Sequence, residues 1–319
     1  MTTILHNKPS TLLLIIAFTI VFVVWGSTYF FIQVAVGGFP PMLMGALRYL
    51  TAGLLMLGWC YMKGDKLFTK KDMATSAISG LLSLFIATGV VMWVEKTLPS
   101  AVVAIMVSAN PIWFVLLDRT NWKSNLRSKT TIGGVVLGFS GVLLLFGEAI
   151  SKSFAVMEPA KVTALLLLVL SPIAWCAGTL VSKKRGYSSP ARVNTSWQML
   201  IAGVAFIPAV FINDEYSNFH FSEVPPRAWM ALVYLILFGS IAAFTAYVWL
   251  MQVRPATQVS THSYVNPVIA VLLGVCWGGE LISGVQVAGL AVILFSVLLI
   301  NADKYTFFWK TVPRHLKPA

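Results

Sequence analysis

Two stretches decide how the chain is built: Val107-Ser108-Ala109-Asn110-Pro111-Ile112-Trp113 and Ser263-Tyr264-Val265-Asn266-Pro267-Val268-Ile269. Each places an Asn-Pro pair in the middle of a hydrophobic segment of membrane-spanning length, and the two pairs lie 156 residues apart. At the same offset Trp93 falls on Trp249, Pro99 on Pro255, Leu116-Leu117 on Leu272-Leu273 and Phe139-Ser140 on Phe295-Ser296, with no gap needed. The chain is a duplication. A proline inside a helix has no N–H to donate and crowds the carbonyl four residues earlier, so Pro111 should free the carbonyl of Val107 and Pro267 that of Ser263. Paired helix breaks in corresponding segments of two halves point to a binding site in a transporter. The competing reading is a pair of packing kinks, since proline is common in membrane helices.

Composition sets the class. With 58% hydrophobic residues, 11% charged and a mean hydropathy of +0.82, the chain is far more apolar than a soluble domain, where about a quarter of residues are charged. It reads as an all-α integral membrane protein. The three cysteines, Cys60, Cys176 and Cys276, share no spacing and sit in or at the ends of apolar runs. They suggest neither a metal site nor a disulfide framework, and no cofactor is expected. Phosphate-cradling loops, His-Glu-x-x-His and Gly-x-Ser-x-Gly patterns are absent, so neither an ATP-driven pump nor a familiar hydrolase is indicated.

The first apolar run, Leu12 to about Val34, is too long for a signal-peptide core and is read as a membrane helix. Nine more follow, at about 41 to 62, 73 to 95, 100 to 118, 130 to 147, 160 to 182, 192 to 212, 227 to 250, 257 to 277 and 284 to 301. The first two segments of each half match at an offset near 150: Trp25 with Trp175, Pro41 with Pro190, Ala52-Gly53 with Ala202-Gly203. Because five is odd, the second half should enter the bilayer upside down. The predicted fold is therefore ten transmembrane helices as two inverted five-helix repeats around a central cavity. Residues 1–11 form a cytoplasmic N-terminus, 12–148 the first repeat, 149–159 an external linker, 160–302 the second repeat and 303–319 a basic cytoplasmic tail.

Basic residues test that topology, because cytoplasmic loops hold the excess. One side collects Lys8; Lys63, Lys66, Lys70 and Lys71; Arg119, Lys123, Arg127 and Lys129; Lys183, Lys184, Arg185 and Arg192; Arg254; and Lys304, Lys310, Arg314 and Lys317. The other side has Lys96, Lys152, Lys161 and Arg227. Eighteen against four puts both termini in the cytoplasm, so the net charge of +12 is topological rather than a nucleic-acid footprint.

Trp25-Gly26-Ser27-Thr28-Tyr29 in the first helix, Arg48 ahead of Ala52-Gly53, the two Asn-Pro pairs and Gly279-Glu280, taken with the ten inverted helices, resemble the EamA-type exporters of the drug/metabolite transporter superfamily. The resemblance covers about residues 12 to 302. It implies a bacterial or archaeal plasma membrane, a basket of helices around a central cavity, and export of amino acids, related metabolites or drugs. One departure stands out: the family often carries Gly-Glu after helix 4 too, whereas the position matching Glu280 here is Ser124.

Candidate site residues follow from chemistry. Trp25, Trp93, Trp113, Trp175 and Trp249 offer flat rings for an aromatic-walled cavity, with the interfacial aromatic belt as the alternative. Trp25 and Trp175 lie deepest. The uncharged polar groups Ser27, Thr28, Ser108, Asn110, Thr179, His262, Tyr264 and Asn266 are candidate substrate ligands, against a rival role as interhelical glue. Arg48 is the one clearly intramembrane charge, open to a functional role or to pairing with freed carbonyls or a carboxylate such as Glu95, Glu148 or Glu280. Gly134-x-x-x-Gly138 permits close helix contact within a protomer or in a dimer. No acidic residue falls at mid-membrane in the sequence, so net-neutral or zwitterionic solutes are expected, with any proton linkage at His262, Glu95 or Glu280. A small-molecule substrate and the lipid bilayer are the expected partners, with no nucleic acid, and the protein is a monomer or homodimer. A secondary transporter is the favoured function, and a passive channel or uniport and an intramembrane enzyme are the alternatives.

Overall fold

The computed structural model describes residues 10–98, 103, 106–154, 159–217, 219–278 and 283–300. The leader, the tail 303–319 and Gly279-Glu280 lie outside them. Among the described residues there is no strand. Where no water is available, long apolar runs satisfy their backbone groups within the segment, which only a helix does for a single chain stretch. Among the described residues six helices are long and apolar enough to cross a membrane: α1 Thr11–Val36, α2 Pro41–Met62, α3 Lys70–Val94, α6 Ala160–Arg185, α7 Ala191–Ile212 and α8 Pro226–Val253. Further helices among the described residues include α4 Asn110–Leu117, α5 Lys129–Phe154, α9 His262–Gly278 and α10 Gly284–Ile300, with shorter ones at Trp122–Arg127 and Ala256–Val259.

Two of the expected spans are interrupted. The turn at Ser108-Ala109 leaves α4 starting only at Asn110, and the turn at Ser260-Thr261 separates α9 from the short helix Ala256–Val259. Pro111 thus sits in the first turn of α4, where its missing N–H has no helical partner anyway. Pro267 lies inside α9, past the break. α5 also runs on to Phe154, so helix occupies part of the stretch expected to be a linker.

Ends are set by proline and by left-handed caps. α2, α7 and α8 all follow Pro40, Pro190 and Pro225 in extended conformation. α2 and α7 close alike, with Asp65 N–H donating to Cys60 O and Glu215 N–H to Val210 O, both at 3.0 Å. The residue that allows this return has positive φ in each case, Gly64 at 71° and Asp214 at 51°. These pairs are 150 residues apart. Each loop carboxylate then reaches the start of the other helix: Glu215 accepts from the Met42 and Leu43 N–H groups at 2.8 and 3.0 Å, and Asp65 from Arg192 Nε and Nη2 at 2.6 and 2.7 Å. A carboxylate at a helix N-terminus complements its dipole.

Between those ends α2 and α7 are in backbone contact. A Cβ at Gly53 would lie 2.7 Å from the Leu200 nitrogen, and one at Gly203 would lie 2.6 Å from the Leu50 nitrogen. α5 and α10 meet as closely at Gly134 and Gly141, so the glycine spacing in α5 serves contact within the protomer. A third correspondence was not expected: α3 and α8 each widen to a π-helical stretch, Leu81–Ala87 and Leu235–Ala242. These π segments face the two deep tryptophans.

Candidate functional site

Trp25 and Trp175 meet at the centre of the molecule, edge to face, with ring centroids 5.4 Å apart. The buried Trp25 Nε1–H donates to Gly239 O at 3.0 Å, a carbonyl of the α8 π segment. Trp175 Nε1–H donates to the Tyr247 hydroxyl at 2.9 Å, and its own carbonyl accepts from Ser83 Oγ in the α3 π segment. A π turn shifts carbonyls out of the regular ladder and is common at functional sites, because those groups become free for other partners. Tyr247 and His262 pack on Trp25 with centroids at 4.9 Å each. The result is an aromatic floor that closes a cavity of about 90 Å³.

Above that floor the cavity is lined by Thr28 and Tyr29 from α1, Arg48 and Tyr49 from α2, Val91 from α3, Asn110 from α4, and His262 and Asn266 from α9. The two broken segments touch here, with Asn110 Nδ2 donating to Ser263 Oγ at 3.0 Å. Asn266 Nδ2 and Ser263 Oγ face His262 Nδ1 at 3.4 and 3.5 Å. His262 Nε2 and Asn266 Oδ1 are buried with no hydrogen-bond partner among the described residues. Buried polar atoms are normally satisfied, so these two are unused ligand capacity at the cavity. α1 approaches the α9 break closely: a Cβ at Gly26 would lie 2.5 Å from Ile269 and 3.1 Å from Asn266 O.

Of the residues selected from sequence, Trp25, Thr28, Arg48, Asn110, Trp175, His262 and Asn266 converge on this one cavity. The others lie elsewhere. Ser27 bonds Tyr234 at 2.7 Å, Tyr264 donates to Val135 O at 2.9 Å within the α5–α10 cluster, and Ser108 is buried. Thr179 reaches the site only through the Tyr247 hydroxyl at 3.0 Å. Trp93 packs in apolar clusters, and Trp249 lines a separate apolar crevice between α1 and α8. Sequence reasoning missed Tyr49, Ser240, Tyr247 and the Gly239 carbonyl, since no residue type announces a π turn. Among the described residues no group of three metal-ligating side chains occurs.

Hydrogen bonds join helix ends where Lys183 and Asp72 lie. Lys183 Nζ donates to Met251 O and, at 2.6 Å, to Arg254 O, joining the end of α6 to the end of α8. Asp72 at the start of α3 accepts from the N–H groups of Ser188 and Ser189 and from Ser189 Oγ at 2.7 Å.

Helices long and apolar enough to cross a membrane, gathered around a small aromatic cavity with polar groups at broken helices, give the fold of a multi-pass membrane protein. The chain belongs to the EamA-like transporter family, which matches it twice, over residues 12–147 and 162–302. It is 33% identical over 295 residues to the uncharacterized inner membrane transporter YedA of Escherichia coli (strain K12), covering 91% of each chain. Protein PecM of Dickeya dadantii (strain 3937) is 25% identical, with 88% of this chain and 89% of that protein covered. A solved structure described only as "Crystal structure of protein" superposes with a TM-score of 0.75 at 18% identity, over 94% of this chain and 99% of that one.

Proposed function

We propose that this protein is a secondary transporter of the plasma membrane that exports small metabolites through alternating access at the central cavity. In this reading residues 12–148 and 160–302 are two five-helix repeats in inverted orientation, ten spans in all, with both termini cytoplasmic. The observation that carries it is the meeting of equivalent residues from both halves at one point, Trp25 on Trp175 and the Asn110 segment on the Asn266 segment. The matching glycine contacts and caps at an offset of 150 support the repeat. The resemblance to inner membrane transporters supports the location. Inverted repeats rocking about a shared midplane site expose it to one side at a time. The aromatic floor and the Lys183 ties correspond to closure at the basic, cytoplasmic end.

The test is overexpression in a bacterial host followed by profiling of metabolites that accumulate outside the cells. Asn110→Ala and Asn266→Ala should each lower that export at least several-fold at unchanged membrane abundance. Unchanged export in both variants would remove the cavity from the transport path.

A further inference from the structure

A second opening lies away from the central cavity. Between α1, α2, the start of α7 and α8 runs a slot of about 830 Å³. Leu13, Ile16 and Ile20 line it from α1, at the three- and four-residue spacing of a single helix face. Ala242, Ala246 and Trp249 line it from α8 at the same spacing, on a different face from the Phe244 and Tyr247 rings that meet Trp175. The two alanines are short enough to leave the gap, and Leu13 and Ile16 stay 48% and 46% exposed beside it. No acidic residue lines the slot.

Its length and its rim decide what fits. From Ile241 to Gln252 the α8 wall spans about 16 Å at about 1.5 Å per residue, the depth of one leaflet of a hydrocarbon core about 30 Å thick. At one end stand Lys63, which closes α2, and Arg192, which opens α7. Lys63 is exposed, and its ammonium makes no hydrogen bond or ion pair among the described residues. Asp65 takes Nε and Nη2 of Arg192 and leaves Nη1, so two cations against one carboxylate keep the rim net positive. The equivalent start of α2 has its Met42 and Leu43 N–H groups covered by Glu215, whereas at α7 the Ala191 and Arg192 N–H groups have no acceptor among the described residues. That end of the helix dipole adds to the positive field. Neither end of the chain complements it. The leader 1–9 carries Lys8 and no acidic residue, and the stretch 303–319 sets Lys304, Lys310, Arg314 and Lys317 against Asp303 alone.

We propose that this slot seats one anionic phospholipid from the leaflet at the basic end, with an acyl chain along α1 and α8 and its phosphate at Lys63, Arg192 Nη1 and the start of α7. The chain gives the apolar helix faces the contacts that a gap denies them, and the headgroup offsets the charge of the rim. It rests on Ile241 and Ala242, the end of the π segment whose Gly239 carbonyl holds Trp25. No residue lines both this slot and the central cavity, so the lipid seat does not depend on what the cavity carries.

The experiment is fluorescence quenching of the full-length protein in phosphatidylcholine vesicles. They are titrated with phosphatidylglycerol brominated near the carbonyl end of its chains and, in parallel, with phosphatidylcholine brominated at the same place. Trp249 supplies the signal, taken as the difference between wild type and Trp249→Phe. Half-quenching should come at a content of brominated phosphatidylglycerol at least about fivefold lower than of brominated phosphatidylcholine, and Lys63→Gln should raise the former about fivefold. Equal midpoints for the two lipids would reduce the slot to ordinary bilayer contact and overturn the proposal. A preference that persists in Lys63→Gln, or that resides in the signal remaining in Trp249→Phe, would place the anionic lipid elsewhere and overturn it too. If neither lipid quenches Trp249, protein fills the slot and the proposal fails: quenching that appears on deleting residues 2–9 would make the leader the occupant, and quenching still absent would make it a second copy of the chain.

Discussion

At the scale of single residues, helical geometry sorts the cavity from its surroundings. His262 and Asn266 are four apart and share a face, while Tyr264 is two from each and points away to Val135. Trp25, Thr28 and Tyr29 likewise share a face that excludes Ser27. Those distinctions were legible in the spacing, and grouping residues by closeness in sequence loses them. The roles of Ser240 and Tyr247 were not legible, because each depends on a contact with a helix distant in sequence, Arg48 at 2.8 Å and Trp175 at 2.9 Å. Nor was the burial of Glu95, which sequence places at a helix end and the fold then covers. Glycines give the sharpest stability prediction. Gly203→Ala forces a methyl onto the Leu50 backbone and should cost about 1 to 3 kcal/mol. Gly58→Ala, with nothing within 4 Å, should be neutral or stabilise by about 0.5 to 1 kcal/mol. Thermal unfolding of both variants in detergent checks the contrast.

Elements are fixed by their ends, and the ends repeat. Gly64 and Asp214 occupy the same left-handed position, one with the residue that adopts it freely and one with a residue that tolerates it. Gly64→Ala should therefore destabilise by about 1 kcal/mol, whereas Gly37→Ala, where φ is −69°, should not. Thermal unfolding reads both. The loop carboxylates add a pH dependence. Two bonds from Arg192 hold the Asp65 carboxyl below its usual range. A lowered folded-state pKa contributes stability that is complete above the unfolded value of about 3.9. It is lost as pH falls through the folded value. Asp65→Asn should thus lower the unfolding temperature at neutral pH, and the gap to wild type should close at pH values below about 4. A gap of equal size across that range would mean that Asp65 acts through packing rather than charge. The breaks in α4 and α9 were legible as Asn-Pro pairs, although the second opens before Pro267, at Ser260-Thr261. The π segments left no mark in composition.

For the whole molecule, the duplication was readable from residue identities alone, and it is echoed in contacts that no residue announces. Gly53 on Leu200 mirrors Gly203 on Leu50, and Trp25 and Trp175 each engage a π segment. Of these equivalents, Trp25 and Trp175 both line the one cavity. Function follows only if the halves stand in the membrane in opposite senses, so that the same rocking motion closes one side as it opens the other. Lys66 and Ser217 distinguish this, since both residues are exposed and lie in equivalent loops, one after α2 and one after α7. The decisive measurement is labelling of Lys66→Cys and Ser217→Cys with an impermeant thiol reagent in intact cells. The inverted arrangement predicts reaction at position 217 and protection at 66, and the same outcome at both positions would contradict it.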